Sequence, residues 1–192
     1  MGTFVIRPAS KSDCRIIAEY NRISSDGVCD YIWQELAGSS DDDLLDIGQQ
    51  RFERDDAYIS YRNASVVGDG GEVVGMMLAY EKLVDTDHVE SDPVLRPYNI
   101  LEEDRSYYIA AMAIQESHRG RGIGGRLLAL AEAQALEKGL IRMSLIVLEN
   151  NADALRFYER NGYSITAREA TVPHPMIDHD GDALLMVKQL NS

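Results

Sequence analysis

The stretch that most constrains this 192-residue chain runs from His118 to Gly125, His-Arg-Gly-Arg-Gly-Ile-Gly-Gly. An apolar run, Tyr107-Tyr108-Ile109-Ala110-Ala111-Met112-Ala113-Ile114, precedes it. A helical pattern, Arg126-Leu127-Leu128-Ala129-Leu130-Ala131-Glu132-Ala133, follows it. The order is strand, glycine-rich loop, helix. Glycines let backbone N–H groups point into one concavity with no Cβ in the way. The positive end of the helix sits behind them. Such a turn is an anion cradle, most often for phosphate. Arg119, Arg121 and Arg126 add positive charge around it, in a chain of formal net charge −13. A plain helix start with surface arginines does not explain glycine at Gly120, Gly122, Gly124 and Gly125, because glycine there costs entropy.

Two phosphate-loop spacings fit these glycines. Gly120, Gly122 and Gly125 form G-x-G-x-x-G, which in a dinucleotide fold wants an acidic residue roughly 20 residues on. Glu149, after the run Arg142 to Leu148, is not far from that place. Three observations oppose this reading. Gln115 to Arg119 separate the apolar run from the first glycine, whereas the dinucleotide turn is tight. Three arginines are more than a pyrophosphate held by backbone needs. Too little chain follows Glu149 for further βαβ units.

The other spacing, Arg119-x-x-Gly122-x-Gly124, resembles the R/Q-x-x-G-x-G/A acyl-CoA loop of the Gcn5-related N-acetyltransferase (GNAT) superfamily. Tyr107 to Ile114 resembles that family's central strand. Asn151-Ala152-Asp153-Ala154-Leu155-Arg156-Phe157-Tyr158-Glu159-Arg160-Asn161-Gly162-Tyr163 resembles its N-x-x-A-x-x-x-Y-x-x-x-G-F/Y segment, with Tyr163 in the last aromatic place. The likeness covers Tyr107 to Tyr163. The two motifs stand in the family's order and at about its separation.

Composition is that of a globular enzyme, with 45% hydrophobic and 27% charged residues. At this length the expectation is one domain over residues 1–192. Met1 to Ile6 lacks a basic region followed by a long apolar stretch, so no signal peptide is read. No apolar run approaches the ~18 residues of a membrane span. Cys14 and Cys29 have no metal-ligand spacing and read as free thiols of a reducing compartment. The expected location is cytoplasmic. The 32 acidic against 19 basic residues disfavour nucleic acid, which needs a net basic face. They suit a cationic amine substrate. The expected partners are acetyl-CoA and an unidentified amine acceptor, with no metal, no nucleic acid and no membrane. Self-association as a homodimer is left open.

The pattern of elements alternates. Phe4 to Pro8 reads as a strand. Ser12-Asp13 caps a helix to about Ile23, with Cys14, Ile17 and Ala18 on one face. Ser24 to Ser40 reads as irregular, with a short helical patch at Tyr31-Ile32-Trp33. Asp41-Asp42-Asp43 leads a helix to about Arg54. Ala57 to Val67 and Val73 to Tyr80 read as strands joined by a Gly68–Gly71 hairpin turn. Glu81 to Arg105, with Pro93 and Pro97, reads as an insertion or a partly helical lid. A helix to Gly139, a strand Arg142–Leu148, a helix Ala152–Arg160 and strands Ser164–Glu169 and Ala183–Lys188 complete the chain. Periodicity alone indicates an α/β or α+β chain. The resemblance implies a mixed-sheet GNAT fold whose two central strands splay apart to admit acyl-CoA.

The resemblance also assigns roles. Arg119, Gly120, Arg121, Gly122, Ile123, Gly124 and Gly125 form the pyrophosphate loop, binding mostly through backbone N–H. The backbone of Met112, Ala113 and Ile114 pairs with the pantetheine amides, and one of its N–H groups polarises the thioester carbonyl. Asn151 hydrogen-bonds pantetheine. It is also placed to cap the helix after it, with Asn150 as competitor. Tyr158 matches the family's general acid, and core packing is its plain alternative. Asn151 and Tyr158 are seven residues apart, two helical turns, and share a face. Ribosomal-protein-type members carry a Glu twelve residues before the Tyr. Ile146 stands there in this chain. The base therefore lies elsewhere or is a water chain. Glu116, Glu103, Tyr108 and Glu149 are candidates, and His88, His118, His174 and His179 read as loop histidines. A non-catalytic acyl-CoA sensor is the alternative function. Acceptor selectivity is expected in Ser24–Ser40, Glu81–Arg105 and Thr171–Asp182.

Overall fold

The computed structural model describes residues 4–39, 42–178 and 181–191. Asp41 and His179, singled out above, lie outside the described residues, as do Ser40 and Asp180. The elements are β1 Val5–Pro8, α1 Cys14–Ile23, α2 Val28–Ala37, α3 Leu44–Phe52, β2 Ala64–Asp69, β3 Glu72–Lys82, α4 Arg96–Ile100, β4 Ser106–Ile114, α5 Ile123–Glu137, β5 Arg142–Leu148, α6 Ala152–Arg160, β6 Ser164–Glu169 and β7 Ala183–Gln189. The strands form a seven-stranded mixed sheet in the order β1-β2-β3-β4-β5-β7-β6. The chain divides into two compact units. One is Met1–Ala79 with Ala111–Leu127, and the other is Tyr80–Ala110 with Leu128–Ser192.

In the first unit β1 pairs antiparallel with β2, from Val5↔Gly68 to Pro8↔Ser65. β2 pairs with β3 across the expected glycine turn, with a register shift between Val67 and Gly68. Helix α1 buries Cys14, Ile17 and Ala18, as its period requires. Its start differs from the expectation. A 3₁₀ turn, Lys11–Asp13, precedes it with Ser10 as that turn's cap; Asp13 is the N-cap residue of α1, as read, but its side chain makes no cap hydrogen bond. The Ser10 N–H and hydroxyl both donate to the Asp13 carboxylate at 2.7 Å. Arg7 donates to both Asp13 oxygens, at 2.7 and 2.8 Å, and this holds the Asp13 carboxyl well below the usual carboxylate range. Helix α2 is a full ten residues, not a short patch. Its anchor is the buried Trp33, packed on α3 at Gly48, where a Cβ would stand 2.5 Å from the ring. Asp43 caps α3, accepting from the Leu45 N–H at 3.0 Å. The strand expected from Ala57 begins only at Ala64. Side chains divert the backbone before it: Asn63 Nδ2 donates to the carbonyls of Ala57 (3.3 Å) and Tyr58 (2.9 Å), and Ser60 Oγ accepts from the Arg62 N–H.

In the second unit β4 pairs parallel with β5 over Tyr107↔Met143 to Ile109↔Leu145. β4 itself runs on to Ile114. β5 pairs antiparallel with β7 along its whole length, and β6 flanks β7. Leu101, Leu148, Ala183 and Leu185 form a core against which Tyr98, Ile146 and Val187 pack. Residues 81–105 are therefore tied to the fold. The first two extend β3, and α4 with the residue after it supplies Tyr98 and Leu101 to this core. Strands β5 and β6 and helix α6 have the bounds read from sequence.

Candidate functional site

Strand β4 leads to a 3₁₀ turn, Glu116–His118, and then the loop. Backbone groups alternate in direction along a strand. Gln115 donates its N–H to the Val74 carbonyl of β3 at 2.9 Å. Ala113 shares that side, so Met112 and Ile114 turn their backbone groups away from β3. Gly75 of β3 permits the closest approach. A Cβ there would lie 2.9 Å from the Ala113 oxygen and 3.4 Å from the Ile114 Cα.

In the loop, Gly120 and Gly122 have φ of 71° and 79°, the left-handed region that is costly for other residues. Arg126 donates its N–H to the Gly122 carbonyl at 3.2 Å and so begins the bonding of α5. The N–H groups of Ile123, Gly124 and Gly125 precede it and have no helical acceptor. Gly125 is the telling position. Its φ is ordinary, and a Cβ on it would meet nothing within 4 Å. Neither backbone geometry nor packing demands a glycine there. An open space edged by unsatisfied N–H groups and a helix dipole fits a phosphate anion. Arg119 turns its Nε back to the Ile114 carbonyl at 3.1 Å, and Arg126 donates to the Phe4 carbonyl at 3.2 Å.

The remaining sequence-predicted residues belong to the second unit. Asn151 caps α6, its Oδ1 accepting from the Ala154 N–H at 3.1 Å. Its side-chain NH₂ is not used by the cap. Tyr158 is buried between Phe157 and Tyr163, with ring centroids 5.2 and 5.6 Å away in edge-on contacts. Burial pushes the Tyr158 hydroxyl well above the ordinary phenol range. The Tyr163 hydroxyl is buried and has no hydrogen-bond partner among the described residues.

The candidate bases fare unevenly. Glu103 is paired with Arg142 at 2.6 Å and Glu149 with Arg168 at 2.9 Å. Glu116 is exposed. Ile146 packs on the Leu101 core. Burial, first, and then the neighbouring Tyr80 and Glu102 raise the Tyr108 phenol well above its ordinary range. His118 Nε2 stands 3.4 Å from Asp69 Oδ2. Sequence reasoning missed the group around Tyr108. Tyr80 contacts its ring at 5.8 Å, Tyr98, Glu102 and Tyr158 lie within electrostatic reach, and Glu102 is paired with Lys82. The alternation of Tyr80 and Lys82 on β3 was the legible part of that signal. Among the described residues no three His, Cys, Asp or Glu side chains are grouped to hold a metal, and no helix is long and apolar enough to cross a membrane. Cys14 and Cys29 are free thiols, both pushed up to about 11, chiefly by burial.

A model of the acetyltransferase (GNAT) family matches residues 26–163. The chain belongs to the GNAT family. The match begins far upstream of the motifs read from sequence. This GNAT protein is 41% identical over 58 residues to a mycothiol acetyltransferase of Corynebacterium aurimucosum, a stretch that is 30% of this chain and 18% of that one. It thus spans less than a fifth of that relative's length. In fold it is similar to an N-acetyltransferase of Staphylococcus aureus Mu50 (TM-score 0.66, 18% identity, 95% of this chain and 99% of that one). It is also similar to a Bacillus anthracis protein assigned as a streptothricin acetyltransferase and crystallised with acetyl coenzyme A (TM-score 0.50, 20% identity, 67% and 62% covered).

Proposed function

We propose that this GNAT protein acts as one domain that transfers the acetyl group of acetyl-CoA to a primary amine. The observation that carries the reading is the loop. It spends a glycine at Gly125 that neither the backbone nor the packing requires, at a helix start belonging to an acetyltransferase family. The N–H groups of Ile123, Gly124 and Gly125 hold the pyrophosphate. Met112 and Ile114, whose backbone turns away from β3, pair with the pantetheine amides and polarise the thioester carbonyl. The Asn151 side-chain NH₂ donates to pantetheine while its Oδ1 caps α6.

The neutral amine nitrogen forms a bond to the acetyl carbon and gives its surplus proton to solvent, while the C–S bond breaks with its electron pair leaving on sulfur. With Tyr108 holding its proton, and Glu103 and Glu149 engaged by arginines, the ammonium gives its proton to solvent before attack. Tyr158 acts on the leaving sulfur. A thiolate has an ordinary pKa of about 8.5, so full transfer from a buried phenol is uphill. The hydroxyl stabilises the thiolate as a hydrogen-bond donor, and solvent completes its protonation.

CoA and acetyl-CoA should raise the melting temperature, since a ligand bound to the native state alone stabilises it by mass action. Gly122→Asp adds a Cβ and a negative charge at the loop and should abolish most of that rise. Stabilisation by NADH with none by CoA would overturn the reading. The sensor alternative predicts the CoA rise but no thiol release on adding amines.

A further inference from the structure

The three loop arginines are held in different ways. Arg119 and Arg126 each commit a donor to a backbone carbonyl. Arg121 has its guanidinium carbon 4.5 Å from the centre of the Phe4 ring. Its nearest carboxylate oxygen, Asp69 Oδ2, is 4.0 Å away, beyond hydrogen-bond range. His118 braces the same assembly. Its ring meets Phe4 edge-on at 6.0 Å, its Nε2 faces Asp69, and its Nδ1 lies 2.9 Å from Ser117 Oγ. Phe4 itself is buried and is fixed at its carbonyl by Arg126.

Contact with the face of a ring holds a guanidinium without using its N–H groups, which number five. The Arg121 side chain is 41% exposed. A guanidinium with no hydrogen-bonded donor among the described residues suits a phosphate monoester, which accepts two parallel bonds. The backbone cradle already serves the pyrophosphate on the reading above. CoA carries one more phosphate, the monoester on its ribose 3′ oxygen, and that group has no partner yet.

We infer that Arg121, seated over the Phe4 ring and flanked by Asp69, binds the ribose 3′-phosphate and makes the protein select CoA over 3′-dephospho-CoA. This rests on the acetyl-CoA reading. Arg121 touches the ligand, and Phe4 and Asp69 act through it as positioning residues.

Calorimetric titration of the wild-type chain, Arg121→Gln and Phe4→Leu with CoA and with 3′-dephospho-CoA tests the inference. The wild type should bind CoA roughly ten- to hundredfold more tightly, the range for hydrogen bonds to a charged group. Arg121→Gln should bring CoA down to the level of dephospho-CoA and leave dephospho-CoA unchanged. Phe4→Leu should reduce the ratio of the two affinities in part. That ratio is insensitive to general loosening of the fold, which weakens both ligands alike, and the melting temperature of each variant checks folding. Equal wild-type affinities, or an equal loss for both ligands in Arg121→Gln, would place the guanidinium elsewhere on the ligand and overturn the inference alone. Binding of neither ligand to the wild type would remove the acetyl-CoA reading and the inference with it.

Discussion

Tyr158 is packed in the core, and the proposed reading gives its hydroxyl a chemical role as well. Its ring is clamped edge-on by Phe157 and Tyr163, so removing the ring costs stability whatever the hydroxyl does. Tyr158→Phe keeps the ring. It should lower kcat about 10²-fold, the lower end for losing one donor to developing negative charge, with little change in melting temperature or acetyl-CoA affinity. Turnover near that of the wild type would assign the hydroxyl to the core. The Tyr158 and Asn151 positions were legible because a helix places residues seven apart on one face. The absence of a base at Ile146 was legible as well, but its consequence was not. Only the structure pairs Glu103 and Glu149 with arginines and sets the half-buried Tyr108 beside Tyr80 and Glu102.

Elements with a local cause match their sequence reading, and those without one do not. Helix α6 begins at the cap made by Asn151 and ends at the expected glycine, because capping is decided within a few residues. This cap also separates two roles of one side chain. Asn151→Asp retains an oxygen for the Ala154 N–H, loses the NH₂ and adds a negative charge at neutral pH. The variant should keep the melting temperature within about 0.5 kcal/mol of stability, while the KM for acetyl-CoA rises severalfold. An unchanged KM would leave Asn151 a cap alone. Helix α2 illustrates the opposite case. No side-chain cap announces its ten residues; Trp33 finds its place only because Gly48 of another helix leaves room for the ring. The false strand start at Ala57 has a related origin. Alternation of apolar residues was present, but the Asn63 and Ser60 side chains bind the backbone and bend it first.

Charge state governs the molecule as a whole. An acceptor amine with a Lys-like pKa near 10.4 is neutral in only about one molecule in a thousand near pH 7.4. With the proton lost to solvent, kcat/KM should rise about tenfold per pH unit through the neutral range. Burial raises the Tyr158 hydroxyl, so its acid form persists beyond the ordinary phenol value and no falling limb should appear below pH ~10. A pH profile of thiol release, flat from 6 to 9, would speak for a strong base that this account lacks. The sequence by itself determined the phosphate loop, the family resemblance, the order of most elements and the cap of α6. Each of these depends on residues close together in the chain, where backbone geometry and hydrogen bonding are local. Tertiary structure alone decided the helix carrying Trp33, the tyrosine and carboxylate group around Tyr108, and the seat of Arg121 on Phe4 beside Asp69. Those contacts join residues far apart in sequence, and close packing in three dimensions, which no spacing encodes, selects them.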